Sequence, residues 1–411
     1  MNKLFGCVRV VYNDVLKARK IAYANNDPYP STEVLSKALT AVKKTEERAW
    51  LQEVSAVALQ QSFRDATTAY HNYFESLKGE RAGAKVGLPR YKEKKDHRES
   101  ARFTRNARFK TRVVNKKRAF ITLPGIPGEL RIAYSRPLPS QPTSVTLIRK
   151  PNGWLYVSYA VTVPDPIKYA DNGRHSGIDL GLIDLVTVVQ SNGTDSNRFK
   201  TPAPKFYRRA ERKIKRQQKD YSRKQKGSKN QEKARIRLAG TYRRVTDSRL
   251  DHAYKVVVPL VRDNQTINVE NPTVSDMIQK ASNTPQGRGK KKSFYDAGWG
   301  QLARLLKVKA EDHGRKVTPV NPAYTTQRCC VCETICGPTN QSVRVWQCSS
   351  CGVWLDRDYN AATNVWVAEG CTETIINACG EGLPRLLEVL AGPENLDEAG
   401  TTKGNVPPFL A

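Results

Sequence analysis

Apolar and aromatic residues recur every three or four positions in the first eighty residues, a spacing that predicts amphipathic helices. Ser31 is placed to cap one of these helices, and Gly79 is placed to end another. We therefore expect residues 1–82 to form a small helical bundle. The clearest apolar face consists of Leu59, Phe63, Ala66, Tyr70 and Phe74.

Between residues 83 and 168 the pattern changes to short runs rich in β-branched and aromatic residues, with turn residues between them. Asn152 and Gly153 separate two of these runs, as such residues do in tight hairpins. The predicted fold of this region is a mostly antiparallel barrel or sandwich. The runs are RAFITLPG, GELRIAYS, TSVTLIR and GWLYVSYAVTV.

Charge dominates residues 201–250, where eighteen Lys or Arg stand against four Asp or Glu. So large a surplus cannot be neutralised by internal salt bridges, so we expect a basic helical hairpin over residues 203–262 that contacts phosphates. The alternative is an ordinary solvated helix face. A further basic run lies at 288–292. The candidate contacts in these two runs are Arg208, Arg209, Arg212, Lys213, Lys215, Arg216, Lys290, Lys291 and Lys292.

The composition of the whole chain points to the same class of partner. A net charge of +30 over 411 residues is typical of a protein that binds a polyanion, and nucleic acid is the first candidate. No long apolar run or secretory signal is visible, and the nine cysteines are odd in number, which predicts a reduced, cytoplasmic setting. Residues 371–411 are slightly acidic and rich in Gly and Pro, so we expect a disordered tail.

Four cysteines have the spacing of a metal-binding ribbon. Cys329 and Cys332 form one C-x-x-C pair, and Cys348 and Cys351 form a second pair after fifteen residues. Two such pairs place four thiolates around one tetrahedral zinc ion. The alternative is a set of buried free cysteines. The neighbouring Cys330 and Cys336 leave the register of the ligand set ambiguous.

Three acidic residues stand at the ends of apolar segments or at the start of a helix. Asp179 lies within the apolar stretch HSGIDLGLIDLVTVVQSNG, which predicts a β-hairpin, and Glu270 ends the short strand in QTINVENPTV. Asp358 begins a predicted helix that also carries Ala362 on the same face. Taken singly, each acid could cap a turn or pair with an arginine. Taken together, acids from two strands and a helix suit a site that binds two Mg²⁺ ions for phosphodiester hydrolysis.

The order of these motifs resembles the TnpB family of transposon-encoded RNA-guided nucleases, which are related to type V CRISPR effectors. The resemblance rests on GIDLGL, INVE and a C-x-x-C ribbon that runs into DRDYNAATN, with support from TTQRCCVC, SFYDAGWGQLARLLKVKAEDHG and FGCVRVVYNDVL. It covers nearly the whole chain. Matched residue by residue, Asp179, Glu270 and Asp358 correspond to the three acids of the RuvC site that hold two Mg²⁺ ions. The cysteines of the two C-x-x-C pairs correspond to the ligands of a single structural zinc ion.

The resemblance also implies a domain order. It implies a multidomain α+β protein in which a helical recognition bundle (1–82) and a wedge-type β-barrel (83–168) precede a RuvC domain of RNase H fold (169–323). A zinc ribbon (324–355), the last RuvC segment (356–370) and the tail (371–411) follow. In the family a β-strand precedes the helix that begins at FGCVRVVYN, so we expect the barrel to lack that strand.

The resemblance implies an RNA-guided DNA endonuclease whose partners are a guide RNA from the transposon end and a double-stranded DNA target beside a short motif. Residues Asn271 and Pro272 follow Glu270 where an acidic residue and Leu are common in the family. The alternative function is a nuclease-inactive relative that only binds RNA and DNA, for instance as a repressor. A transposase that joins DNA ends itself is disfavoured, because no grouping of Tyr, His and acid stands out.

Overall fold

The computed structural model describes residues 1–193, 196–271, 274–340 and 342–368. The predicted tail at 371–411 lies outside these residues. None of the described helices has the length and apolar character that a membrane span requires. The described residues divide into two compact units, which are built from residues 1–164 with 217–240 and from the described residues of 165–216 and 241–368.

Three long helices open the first unit, as the apolar spacing predicts. They are α1 (Asn2–Ala24), α2 (Thr32–Val42) and α3 (Ala56–Lys78). The Ser31 hydroxyl accepts a hydrogen bond from the N–H of Val34, and Gly79 ends α3 in the left-handed conformation, so both predicted caps are confirmed. Short 3₁₀ helices lie at Glu46–Glu53, Lys94–Asp96 and Arg105–Ala107.

Six strands of the first unit form two antiparallel sheets, in the orders β1-β5-β6 and β2-β3-β4. Antiparallel pairing is therefore confirmed, and Asn152 and Gly153 form the turn between β5 and β6. Among the described residues no strand pairing joins the two sheets into a closed barrel. The strands are β1 (Glu99–Thr104), β2 (Lys110–Asn115), β3 (Arg118–Thr122), β4 (Glu129–Ala133), β5 (Ser144–Arg149) and β6 (Leu155–Ala160).

Helices and strands of the first unit share one hydrophobic core. Phe5 and Leu16 of α1 belong to the same buried cluster as Phe103 of β1 and Leu147 of β5. Burial of these large side chains supplies most of the driving force for folding of the unit. The division of this region into two domains at residue 82 stays a prediction.

A five-stranded sheet forms the centre of the second unit, with the strand order β11-β10-β7-β8-β9. Strand β7 pairs antiparallel with β8 and parallel with β10, so the predicted hairpin that carries Asp179 is confirmed. Strand β10 also pairs parallel with β11. The strands are β7 (His175–Asp179), β8 (Asp184–Ser191), β9 (Ser196–Pro202), β10 (Thr266–Glu270) and β11 (Lys316–Val320).

Helices and a small ribbon make up most of the remaining described residues. The basic segment forms two helices, α4 and α5, and residues 217–240 belong to the first unit, while the hairpin over residues 203–262 stays a prediction. The ribbon contains the antiparallel pair of β12 (Val345–Gln347) and β13 (Trp354–Asp356). The helices are α4 (Phe206–Arg223), α5 (Lys229–Asp263), α6 (Val274–Lys280), α7 (Pro285–Ala297), α8 (Trp299–His313) and α9 (Arg357–Val367).

A buried carboxylate fixes the start of the basic helix α4. Asp296 of α7 accepts hydrogen bonds from the backbone N–H groups of Tyr207 at 2.9 Å and Arg208 at 3.0 Å. The guanidinium of Arg249 on α5 donates to the same carboxylate at 3.1 Å. Asp296 therefore accepts hydrogen bonds from the free N–H groups at the start of α4 and pairs with the positive charge of Arg249 on α5.

We expect Asp296→Ala to lower the free energy of unfolding by about 1–3 kcal/mol, because it leaves two helix N–H groups and a guanidinium without their acceptor. Asp296→Asn keeps one acceptor oxygen and should cost less. Chemical denaturation of both variants measures the difference. Equal stability of Asp296→Ala and the unsubstituted protein would show that these contacts do not fix α4.

Candidate functional site

Two buried acids lie side by side at one edge of the central sheet. Asp179 is the last residue of β7 and Glu270 is the last residue of β10. Because β7 and β10 are parallel and Val269 pairs with Ile178, the next residue of each strand is an acid at the same edge. Their side chains share a hydrogen bond, and the two residues are only 7% and 9% exposed.

Helix α9 brings a third acid to this edge. The helix packs so closely on β7 that a Cβ atom on Gly177 would lie 2.2 Å from the carbonyl oxygen of Ala362. A glycine on the strand and an alanine on the helix make this approach sterically possible. Asp358, in the first turn of α9, is therefore near enough to Asp179 for its negative charge to raise the pKa of that carboxyl.

Burial and mutual repulsion make it unfavourable for the acids of this cluster to be ionised together without a cation. Burial, together with the negative charges of Glu270 and Asp358, raises the pKa of Asp179 well above its usual range. Burial also raises the pKa of Glu270, although the Leu180 N–H and the Thr325 hydroxyl, at 3.3 Å, donate hydrogen bonds to it. Carboxylates in this situation need a cation, and their oxygen atoms suit a hard divalent metal.

Two basic side chains already contact Asp358. The Nζ atom of Lys200 on β9 lies 3.2 Å from one carboxylate oxygen of Asp358, and a guanidinium nitrogen of Arg344 lies 3.1 Å from the other. Among the described residues, the four cysteines of the ribbon, and not the three acids, are the set whose ligand atoms converge closely enough to hold a metal ion. Asp358 is thus held by two cations of the chain as well as placed near Asp179.

Lys200 also contacts Asp356, which caps α9. Both carboxylate oxygens of Asp356 lie 2.9 Å from the Lys200 Nζ, so the three ammonium protons have three acceptors. Burial would lower the pKa of Lys200, but its hydrogen bonds and ion pairs with the two aspartates raise it. Sequence reasoning missed Lys200 and Arg344, because no spacing in the sequence signals a contact across such a distance along the chain.

The two aspartates at the start of α9 have different contacts. Asp356 is the N-cap and accepts hydrogen bonds from the backbone N–H groups of Asp358 at 3.0 Å and Tyr359 at 2.9 Å. Asp356 is therefore the cap of α9. The neighbouring guanidinium of Arg357 donates to the carbonyl oxygen of Asn340 at 2.6 Å.

The four predicted zinc ligands come together in the ribbon. The Sγ atoms of Cys329, Cys332, Cys348 and Cys351 all lie within 4.8 Å of one another. Zinc bound to four thiolates at about 2.3 Å requires neighbouring sulfur atoms about 3.8 Å apart, so the cluster fits a tetrahedral metal ion. Gly352, directly after the second pair, has a φ of 74°, a left-handed conformation that glycine adopts without steric cost.

The thiols of the ribbon have different surroundings. Hydrogen bonds with Thr334 lower the pKa of Cys332 to about 6, which favours the thiolate that a metal binds. Burial raises the pKa of Cys330 to about 12, and it also raises the pKa of Cys329. The backbone N–H of Cys330 donates to the Asn360 side chain at 2.9 Å, which links the ribbon to α9.

Several of the candidate phosphate contacts are engaged within the chain. The guanidinium of Arg208 donates to the carbonyl oxygen of Gly289 at 2.7 Å, and Lys215 and Lys292 both form ion pairs with Glu211. Arg208 and Lys292 thereby hold α4 against α7, whereas the ion pair of Lys215 with Glu211 lies within α4. Ion pairing makes them weaker candidates for nucleic-acid contact than their neighbours.

One face of α4 remains exposed and basic. Arg212 and Lys213 lie three and four residues after Arg209, Arg216 lies four and three residues after them, and all four are exposed. We call this set the basic face of α4. Its geometry suits a run of phosphates along a nucleic-acid backbone.

Replacing Arg209, Arg212 and Arg216 with glutamine should weaken nucleic-acid binding and lower the slope of log K against log salt by about three, roughly one for each lost phosphate contact. A salt titration of RNA binding measures this slope. The matched control replaces Arg304, Lys307 and Lys316, which removes the same charge from other elements. An equal change of slope in both variants would mean that only net charge matters.

Three protein-family models match parts of the chain. Residues 1–27 match a helix-turn-helix domain of OrfB_IS605 proteins, and residues 158–281 match the OrfB_IS605 model, described as "Probable transposase". Residues 299–365, which include the ribbon, match the TNB domain of Cas12f1-like proteins.

Relatives extend the similarity over most of the chain. A protein of Streptomyces pristinaespiralis named "Putative RNA-guided DNA endonuclease" is 36% identical over 93% of this chain and 88% of its own length. InsQ of Escherichia coli, named in the same way, is 25% identical over 93% of this chain and 90% of its own length. Among solved structures, a Cas12f1–sgRNA–target DNA complex matches with a TM-score of 0.55 at 13% identity, over 88% of this chain and 81% of that one, which supports a similar fold.

Proposed function

Because this chain belongs to the TnpB family of OrfB_IS605 proteins, we propose that it is an RNA-guided DNA endonuclease with one hydrolytic site. The observation that carries the proposal is the approach of Asp179, Glu270 and Asp358 to one edge of the central sheet in a chain of this family. We further propose that the sheet belongs to a RuvC domain of RNase H fold, which the two acids at adjacent strand ends support.

The acid cluster would hold two Mg²⁺ ions. Buried carboxylates with raised pKa values fit such ions, because a hard cation offsets the repulsion that burial imposes. When bound, two such ions supply activation of the attacking water and stabilisation of the leaving oxygen. The side chains of Asp179 and Glu270 are fixed by the ends of their strands, and Asp358 is fixed by the start of α9.

The ribbon would hold one structural zinc ion through the four thiols named above. Since β13 of the ribbon leads directly into α9, an ordered ribbon also fixes the position of Asp358. The zinc site therefore supports the hydrolytic site without taking part in its chemistry.

The partners are a guide RNA from the transposon end and a double-stranded DNA target next to a short motif. The basic face of α4 and the charge of +30 support contact with nucleic-acid backbones, while base pairing with the guide would select the target. The helices and antiparallel sheets of residues 1–168 are the proposed site for recognition of the adjacent motif. The partners carried in the Cas12f1 complex are of the same two kinds.

Sequencing the RNA that copurifies with the protein tests the guided mechanism. We expect one discrete RNA species encoded beside the gene, with a variable segment at one end. A random sample of cellular RNA would contradict the proposal. A discrete RNA without cleavage of a matched DNA would instead support the nuclease-inactive binding protein.

A further inference from the structure

A fifth thiol lies against the ribbon cluster. The Sγ atom of Cys336 is 3.3 Å from the Sγ atom of Cys348, closer than the 3.5 Å that separates Cys332 from Cys348. Cys336 does not belong to the set of four sulfur atoms that lie within 4.8 Å of one another. It is therefore next to one ligand position and outside the tetrahedral set.

The backbone of the first knuckle holds Cys336 in this place. The N–H groups of Cys336 and Gly337 both donate to the carbonyl oxygen of Gln327, at 3.2 Å and 2.8 Å. A Cβ atom on Gly337 would lie 2.8 Å from the Cα atom of Gln327, so only glycine allows the two segments to approach this closely. Arg328 and Ile335 form an isolated bridge beside them. The position of Cys336 thus follows from paired backbone groups.

We propose that Cys336 is a reserve metal ligand, which can replace Cys348 in the coordination of the zinc ion. Zinc in a structural site accepts four ligands, so one of five nearby thiols remains outside the coordination sphere while the other four are intact. Loss of the Cys348 thiol leaves four sulfur atoms, and Cys336 is close enough to fill the gap by a small shift of one side chain. This inference rests on the proposed zinc site and is independent of nuclease activity.

Cys330 does not offer the same reserve. Its side chain packs with Val189 and Ala362, and its backbone N–H donates to the side chain of Asn360 on α9. The sulfur atoms of Cys329 and Cys351 are 3.7 Å apart and lie at the other pair of corners, whereas the Sγ atom of Cys336 contacts that of Cys348. We therefore expect the reserve to serve the Cys348 position.

The test compares zinc content in Cys348→Ser, Cys336→Ser and the double variant, each as the full chain. We expect about one zinc per chain in both single variants and a loss of most zinc in the double variant, as a four-thiolate site requires. Substitution with Co²⁺ adds a second measurement, because the intensity of the thiolate-to-cobalt absorption reports the number of sulfur ligands. Cys348→Ser should keep the four-sulfur spectrum, and the double variant should not.

The proposal would be overturned if Cys348→Ser, whether folded or not, has lost as much zinc as the double variant. Loss of zinc in Cys336→Ser alone would also overturn it, since that result makes Cys336 an obligatory ligand. Both measurements use metal content rather than DNA cleavage. A failure of this test therefore leaves the nuclease proposal standing. If the protein does not cleave DNA, the zinc measurement can still be interpreted.

Discussion

Replacement of Asp358 by alanine is expected to abolish DNA cleavage while leaving guide-RNA and target binding intact. The substitution removes a carboxylate that lies in the first turn of α9 and close to Asp179. Substituting a residue that contacts a metal ligand commonly lowers activity or metal affinity by about 10- to 100-fold. Loss of the ligand itself should therefore lower activity by more than roughly 100-fold. Binding should survive, because phosphate contacts on other elements do not depend on this carboxylate.

Asp356→Ala provides the matched control, because it removes an equal charge two residues away. Asp356 caps α9 and pairs with Lys200, so its loss should cost about 0.5–2 kcal/mol of stability and reduce cleavage without abolishing it. Cleavage and binding are scored separately for both variants in Mg²⁺ with guide RNA and a matched target. Full cleavage by Asp358→Ala, or complete loss of cleavage only in Asp356→Ala, would show that Asp358 is not the metal ligand.

Cys329→Ser is expected to empty the ribbon of zinc and to reduce cleavage together with stability. Cys329 is fully buried, its sulfur lies 3.7 Å from that of Cys351, and the reserve thiol Cys336 lies beside a different corner. Without metal, the remaining thiols cannot hold the two knuckles together, because structural zinc supplies much of the folding free energy of such small ribbons. Asp358 would then lose its support from β13.

Metal analysis and thermal unfolding measure this effect, with Cys330→Ser as the control. Cys330 is one residue away but does not belong to the set of four converging sulfur atoms, so its variant should keep about one zinc per chain. A Cys329→Ser protein with undiminished zinc would rule out the proposed ligand set.

Local patterns were enough to predict the elements that carry the acids. Asp179 and Glu270 end short apolar runs, and such runs form strands whose ends meet at a sheet edge. Asp358 follows a capping residue, so the start of α9 could be placed from the sequence. The spacing of the cysteines likewise fixed the four thiols that converge.

Contacts between distant segments could not be predicted in this way. Lys200 lies on β9, yet it contacts two aspartates of α9, and nothing in its local sequence distinguishes it from other lysines of a basic chain. The ion pair of Lys292 with Glu211 has the same origin, since it depends on how α4 packs against α7. The proximity of Cys336 to Cys348 depends on the backbone pairing of one knuckle, which cysteine spacing does not specify.

The most direct test of the central claim is a cleavage assay with the purified protein, its copurified RNA and Mg²⁺. Two double-stranded DNA targets are compared, one that matches the variable segment of the RNA and one with that sequence scrambled, each flanked by a library of short adjacent motifs. RNA-guided hydrolysis predicts cutting of the matched target alone, for a subset of the motifs, and loss of that cutting in Asp358→Ala. Equal cutting of both targets, or RNA-dependent binding of the matched target with no cutting at any motif, would contradict it.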